Sequence, residues 1–316
     1  MHCKKNKMVG VLLGLLVVFA LVSEKLPTMR KKTIVRGVQL CTEAEGYGVT
    51  LLYHDVQPAS DAADAKEQLG VAIGNGKSLP QAYADAEQKL PGRAVYKLCD
   101  VMLLSDTEML SDLQQVVDVV AENQKGWLAA KLLYSDGPMI AEDTEDVSQI
   151  YTRLQRACED APYLYQANQP LLLLPNVVEE DSLVEGAAVV EQGQGSQMLP
   201  EGETQLFQSI LQGYGRLELD IEEQRVRVNV MVSRRNENNR LVRDVYLFPV
   251  ETDEPLDKTQ LLQRVQQLWQ TIQPIDQRSL QQGQGDARYL YLRDGKKENY
   301  PLSAWEDAVN FIWMGE

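Results

Sequence analysis

From Thr33 onward the apolar positions of the chain switch between a spacing of two and a spacing of three to four. In TIVRGVQLC, Ile34, Val38 and Leu40 share one face of an extended chain, as do Val49, Leu51 and Tyr53 in YGVTLLYHD. The turn-rich TEAEG between them predicts a β-hairpin. A third strand near residues 68–73 leads into a helix whose stripe is Leu79, Ala82, Tyr83, Ala86 and Leu90. Apolar density marks VYKLCDVMLL as a buried strand, on which Cys99 alternates with Val101 and Leu103. SDTE, Ser105 to Glu108, reads as a capping box opening a helix with Leu110, Leu113, Val116, Val117 and Val120 on one side. Gly126 ends that helix ahead of the strand WLAAKLLY. The order β-β-β-α-β-α-β describes helices packed on a mixed sheet.

A helix over residues 145–160 follows, with Val147, Ile150, Tyr151, Leu154 and Cys158 at helical spacing. Next comes NQPLLLLPNVVEEDS, where two prolines and an acidic run suggest a junction. Beyond it the pattern gives a strand LVEGAAVVE, a Gly/Gln-rich turn, a helix over Glu203–Gln212, and strands RLELDIE, RVRVNVMVS and LVRDVYLFPV. RVRVNVMV alternates strictly: Val226, Val228, Val230 and Val232 point to a core, and Arg225, Arg227, Asn229 and Met231 point away. Leu261, Leu262, Val265, Leu268, Trp269 and Ile272 mark a last amphipathic helix. No repeat period stands out, which removes solenoid architectures. Some 285 residues outside the N-terminal segment exceed what one core usually holds. The expected fold is α+β, two lobes of mixed and antiparallel sheets packed with helices: a signal or anchor over residues 1–32, a first domain over 33–178 and a second over 179–316.

Lys4, Lys5 and Lys7 precede an uncharged apolar run from Met8 to Val22, fifteen residues long. That length is short for a spanning helix and typical of a signal-peptide core. No A-x-A cleavage site comes after it, so an uncleaved membrane anchor is expected ahead of a removed signal. Lys25, Arg30, Lys31 and Lys32 flank the other end and nearly balance the charge that sets orientation. Because signal-like segments export the chain downstream of them, the body is expected on the extracytoplasmic side.

That body is acidic. Residues 1–32 hold seven of the 31 Lys and Arg and one of the 46 acids, leaving 24 basic and 45 acidic residues beyond, a net charge of −21. Nucleic-acid affinity comes from neutralising phosphates, so no nucleic-acid partner is expected. The basic cluster Arg234, Arg235, Arg240 and Arg243 surrounds NENN and reads as a solvated hairpin tip.

Candidate chemistry is sparse. LGVAIGNGKSLPQAY resembles a phosphate-binding loop, G-x-x-x-x-G-K-[ST], but Gly70 lies six positions before Gly76 and Val71 holds the required place. Gly74-Asn75-Gly76 reads instead as a turn with positive φ, and Ser78 with Gln81 as a helix-opening capping box. On that reading Lys77→Ala leaves folding unchanged and Ser78→Ala costs about 1 kcal/mol. His2 and His54 are the two histidines, and His54, ending the second strand beside Asp55, is the sole one beyond the apolar run. No C-x-x-C, H-E-x-x-H or G-x-S-x-G occurs, and Glu179, Glu180 and Asp181 lack the loop pattern of a calcium site. Paired carboxylates for glycoside hydrolysis need a separation in space that sequence does not give. Cys41, Cys99 and Cys158 are odd in number; Cys99 and Cys158 fall on apolar faces, and one disulfide remains open. No catalytic, cofactor-binding or metal-binding residue is assigned, no cofactor is expected, and the chain is not expected to be an enzyme.

Three stretches, Arg36–Asp55, Gly76–Val120 and Val184–Gly213, stand in a collinear order similar to that of the Ger(x)C family, the C subunits of spore nutrient-germinant receptors. RGVQLCTEAEGYGVTLLYHD resembles the first hairpin of the family. GKSLPQAYADAEQKLPGRAVYKLCDVMLLSDTEMLSDLQQVVDVV resembles its G-x-[ST]-x-x-x-A helix with the strand and helix after it. VEGAAVVEQGQGSQMLPEGETQLFQSILQG resembles a G-x-A-V strand leading to a Glu-Thr pair, here Glu203 and Thr204. The likeness covers most of Thr33 to Trp305. It departs at the anchor, where Leu21, Val22 and Ser23 stand in place of the usual lipid-bearing Cys. The resemblance implies a divergent, extracytoplasmic, membrane-attached, non-enzymatic subunit, at the spore inner membrane, that assembles with integral-membrane A- and B-type subunits in germination. Two other readings stay open: a small-ligand-binding module with a pocket between the lobes, and a carboxylate-based cell-wall hydrolase.

Overall fold

Alternating apolar strands must cover at least one face, and here three sheets do so with helices and with one another. The computed structural model describes residues 32–55, 68–123, 125–142, 144–178, 184–191, 195–221, 224–237, 240–250, 257–281 and 307–315. The expected anchor and the acidic run Glu179–Asp181 lie outside the described residues. The fold is α+β, with thirteen strands and six α-helices among the described residues.

The first sheet has six strands: β1 (Lys32–Glu43), β2 (Gly46–Asp55), β3 (Gln68–Gly76), β4 (Arg93–Val95), β5 (Val101–Leu104) and β6 (Lys131–Tyr134). Its order is β3-β2-β1-β5-β6, antiparallel through β3-β2-β1 and parallel through β1-β5-β6, with β4 beside the start of β1. Helices α1 (Leu79–Gln88), α2 (Thr107–Ser111) and α3 (Leu113–Asn123) cover one face, where Val38, Leu40, Leu51 and Met102 meet Tyr83, Ala86, Leu110 and Val116. Helix α4 (Val147–Ala157) covers the other, where Leu52, Val101, Leu103 and Leu133 meet Val147, Tyr151 and Leu154. A register shift between Val35 and Gly37 turns the start of β1 over. Val35, not the expected Ile34, therefore joins Val38 and Leu40 in the core. The expected long strand VYKLCDVMLL is strand only at Val95, where β4 ends, and over Val101–Leu104, and WLAAKLLY becomes strand only from Lys131.

The segment expected as a junction contains strand β7 (Leu171–Pro175), which with β8 (Ala187–Glu191) and β9 (Gly195–Leu199) forms an antiparallel middle sheet. Strands β7 and β8 are buried on both faces, whereas β9 is exposed as far as Met198. Leu172, Leu174 and Ala188 pack into the core of the first sheet, while Leu171, Val189 and Leu199 pack into that of the last. Fully burying a leucine side chain contributes about 1.5–3 kcal/mol, so consecutive leucines facing opposite ways hold both cores to one strand.

The last sheet runs β10 (Tyr214–Ile221), β11 (Gln224–Glu237), β12 (Arg240–Pro249) and β13 (Asp307–Trp313). The first three form an antiparallel meander, and β13 joins parallel to β12. Helices α5 (Glu201–Gln212) and α6 (Lys258–Gln281) cover the valine face of β11, and Trp269 meets Phe311 edge to face at 6.4 Å. Pro274 lies inside α6 and removes one helical hydrogen bond. Two ion pairs fix the turns after it. Arg243 of β12, fully buried, donates through Nη1 to Asp276 Oδ1 at 2.9 Å and through Nη2 to the other oxygen, and its guanidinium lies 5.4 Å from the Trp269 ring. Arg278 makes two bonds of 2.6 Å to Glu191 of the middle sheet.

Asp276→Ala leaves the Arg243 charge buried without its carboxylate and is expected to destabilise by about 3–5 kcal/mol in urea unfolding. The double replacement Arg243→Met, Asp276→Leu is expected to recover most of that loss. Equal losses for the single and double variants would show that packing, not the charge, fixes α6.

Candidate functional site

The glycines that resemble a phosphate loop serve the packing of α1. A Cβ on Gly74 would lie 2.1 Å from the Ala86 nitrogen and 2.5 Å from the Ala82 oxygen, so the strand backbone touches the helix backbone. Neither Gly74 nor Gly76 adopts positive φ, contrary to the expected turn; close approach is what requires them. The Asn75 N–H, which would face a phosphate, donates to Asp85 at 3.1 Å. That bond, with Lys89 beside it, holds the Asp85 carboxyl below its ordinary value. A carboxylate therefore occupies the anion's place. Ser78 is the N-cap residue of α1, but its hydroxyl makes no capping bond. At the second expected box the cap is Asp106, one residue later than Ser105. Its carboxylate accepts from Met109 N at 2.6 Å and from Thr42 N at 2.6 Å, tying α2 to β1. Ser105 instead is buried and accepts from the Ser135 hydroxyl at 3.1 Å.

Nucleophiles and ligands are scattered. His54 is half-buried on β2, paired in register with Leu69. Among the described residues no three His, Cys, Asp or Glu side chains gather to hold a metal. Cys41, Cys99 and Cys158 are free thiols. Burial, reinforced by nearby carboxylates, pushes Cys41 up to about 11 and both Cys99 and Cys158 up to about 12. At neutral pH all three stay as unreactive thiols.

One polar network crosses the first sheet. Arg36, at the register shift in β1, donates to Asp100 at 2.8 Å and to the Tyr151 hydroxyl at 3.1 Å; that hydroxyl donates to Asp100 at 2.6 Å. Gln155 Nε2 donates to the same phenol oxygen at 3.0 Å. Burial and the bond to Asp100 raise the Tyr151 phenol, so it stays neutral and works as a donor. The arrangement stitches α4 to the sheet.

Two surfaces have the geometry of contact sites. A hollow of about 590 Å³ lies where the two cores meet, lined by Lys131, Asp160, Gln166, Gln169, Gln208 and Ser279 among others. The second is the face of the last sheet turned away from α5 and α6. There Tyr214, Met231, Tyr246 and Ile312 stand in register across all four strands, with Tyr214 and Met231 more than half exposed. Met231 occupies a polar phase of RVRVNVMV, which was the sequence signal for this row. The expected solvated arginine tip is divided by the same alternation. Arg235 stays near the surface on Glu237 and Asp244, whereas Arg243 is buried and Arg234 caps α5 by donating to Ile210 O at 2.6 Å. Gly213, with φ of 92°, lets the helix end there.

In denaturant unfolding, Ser78→Ala is expected to change stability by a few tenths of a kcal/mol, since no capping bond is lost, whereas Asp106→Ala is expected to cost about 1–2 kcal/mol. A larger loss at Ser78 than at Asp106 would reverse the assignment of the caps.

No family model matches this chain, and no curated protein matches it. Among solved structures it is similar to the crystal structure of the GerBC protein, at 15% sequence identity and a TM-score of 0.41, with 89% of this chain and 97% of that chain covered.

Proposed function

We propose that this protein is a non-enzymatic, extracytoplasmic subunit of a spore nutrient-germinant receptor, tethered through Met8–Val22 and acting by contact with integral-membrane A- and B-type subunits. The observation that carries the reading is the collinear order of the Ger(x)C-like motifs along the chain. Residues of one of them also converge in space. A Cβ on Gly186 would lie 2.0 Å from the Leu199 carbonyl oxygen, and Thr204 of the Glu-Thr pair donates to that same oxygen at 3.2 Å. The residue before β8, the end of β9 and α5 thus meet at one atom, which gives the spaced Gly and Thr a shared physical role. The open row Tyr214–Met231–Tyr246–Ile312 suits contact with protein partners. The junction hollow favours the second reading, capture of a small polar nutrient.

The same proposal keeps the division into 33–178 and 179–316 as two lobes that share the middle sheet. Each half expressed alone loses partners for that sheet and is expected to give no cooperative thermal transition; a sharp transition from either half would show independent domains.

A clean deletion strain is expected to lose or slow its nutrient response, and the tagged protein to co-purify with multispanning membrane proteins. An unchanged response sinks the receptor role. A screen of amino acids and sugars decides the second reading: a ligand present at a hundred times its Kd stabilises by about 2.7 kcal/mol. A rise of several degrees in Tm at millimolar ligand would move the function to the hollow.

A further inference from the structure

Four large apolar side chains that ordinarily seek cover are exposed together near the point where the described chain begins. Leu98 is 52% exposed, Trp127 46%, Leu128 40% and Tyr165 56%. Trp127, Leu128 and Tyr165 line a hollow of about 960 Å³ with Lys32, Arg93, Lys97 and Lys125. Leu98 directly follows Lys97.

Backbone bonds make this group a fixed platform. The Ala130 N–H donates to Trp127 O at 2.8 Å, closing a turn, and the Tyr165 N–H donates to Leu128 O at 2.9 Å, tying the two loops together. Tyr165 stacks on Tyr163 at 5.1 Å, and Lys131 Nζ lies 3.9 Å from the centre of the Tyr163 ring. Exposed aromatics held this way do not fold back to hide.

The charge of the platform opposes that of the body. Residues 33–316 carry a net −21, yet the hollow is lined by four basic side chains and one acid, Glu87. Glu87 is already engaged, at 2.6 Å by Lys125 and at 2.8 Å by the Tyr96 hydroxyl. The cationic side chains are thus in excess where the rest of the protein is anionic.

Position supplies the occupant. Lys32 opens β1 opposite Arg93 of β4, and the nine residues 23–31 separate it from the apolar run ending at Val22. Fully extended, such a connection spans at most roughly 35 Å, which keeps this end of the body within that reach of the run. Trp and Tyr settle at membrane–water interfaces, and Lys and Arg are drawn to anionic headgroups. We propose that the Trp127–Leu128–Tyr165 platform, with Lys32, Arg93 and Lys97, rests on the anionic lipid surface beside the anchor and sets the orientation of the body. The inference rests on the anchored reading of residues 8–22.

The test uses the full chain reconstituted in phosphatidylcholine vesicles with and without phosphatidylglycerol, the acyl chains carrying bromine as a fluorescence quencher. The chain is expected to float with the vesicles and to lose tryptophan emission in brominated lipid. Trp127→Phe is expected to remove most of that loss, and phosphatidylglycerol to increase it. Arg93→Glu with Lys97→Glu, which leaves the anchor intact, is expected to weaken it. A chain that does not float overturns the anchor and the proposal together. A floating chain quenched equally with and without Trp127 overturns the platform alone and leaves the surface to a protein occupant.

Discussion

Burial of β7 and β8 on both faces is the constraint on which the rest of the architecture depends. A strand with one wet face tolerates polar side chains at every second position; β7 does not. Leu171–Leu174 must be apolar at each step, and the charge that does enter, Glu191, has to be matched by Arg278. The first and last sheets can each be large because neither has to close its core alone. The two cores meet across one layer three strands thick.

Much of this fold was legible because local pattern and tertiary role agree. The hairpin β1–β2, the stripe of α1 and the alternation of β11 follow from spacing alone. Where tertiary packing decides, spacing misleads. The shift at Arg36 inverts the face of a strand through a single extra residue, and nothing in TIVRGVQLC marks it. Prolines at 170 and 175 suggested an exposed connection, yet they sit at the ends of a buried strand, where a missing N–H does little harm. Arg243 has no local signal of burial either. Its partner Asp276 lies in another element, beyond Pro274 and past the apolar stripe that marks the helix in sequence.

The same division holds for chemistry. The near absence of histidine and of spaced ligands is visible from composition, and it directs attention to surfaces. Which surface was harder to read, because exposure is a property of the assembled fold. Met231 in a polar phase was a usable sign, whereas Trp127 and Leu128 fall in the expected strand WLAAKLLY, a pattern that gives no sign of their exposure. The glycine-rich loop shows the converse: a signal-bearing stretch whose glycines exist so that a helix and a strand can touch.

Helix α6 grips two layers through two ion pairs. Asp276 joins it to the outer sheet and Arg278 to the middle one, two residues apart on a single rigid rod. Slippage of the outer sheet against the helix would require tearing apart a dry pair of opposite charges. One helix thereby joins the outer sheet to the middle one.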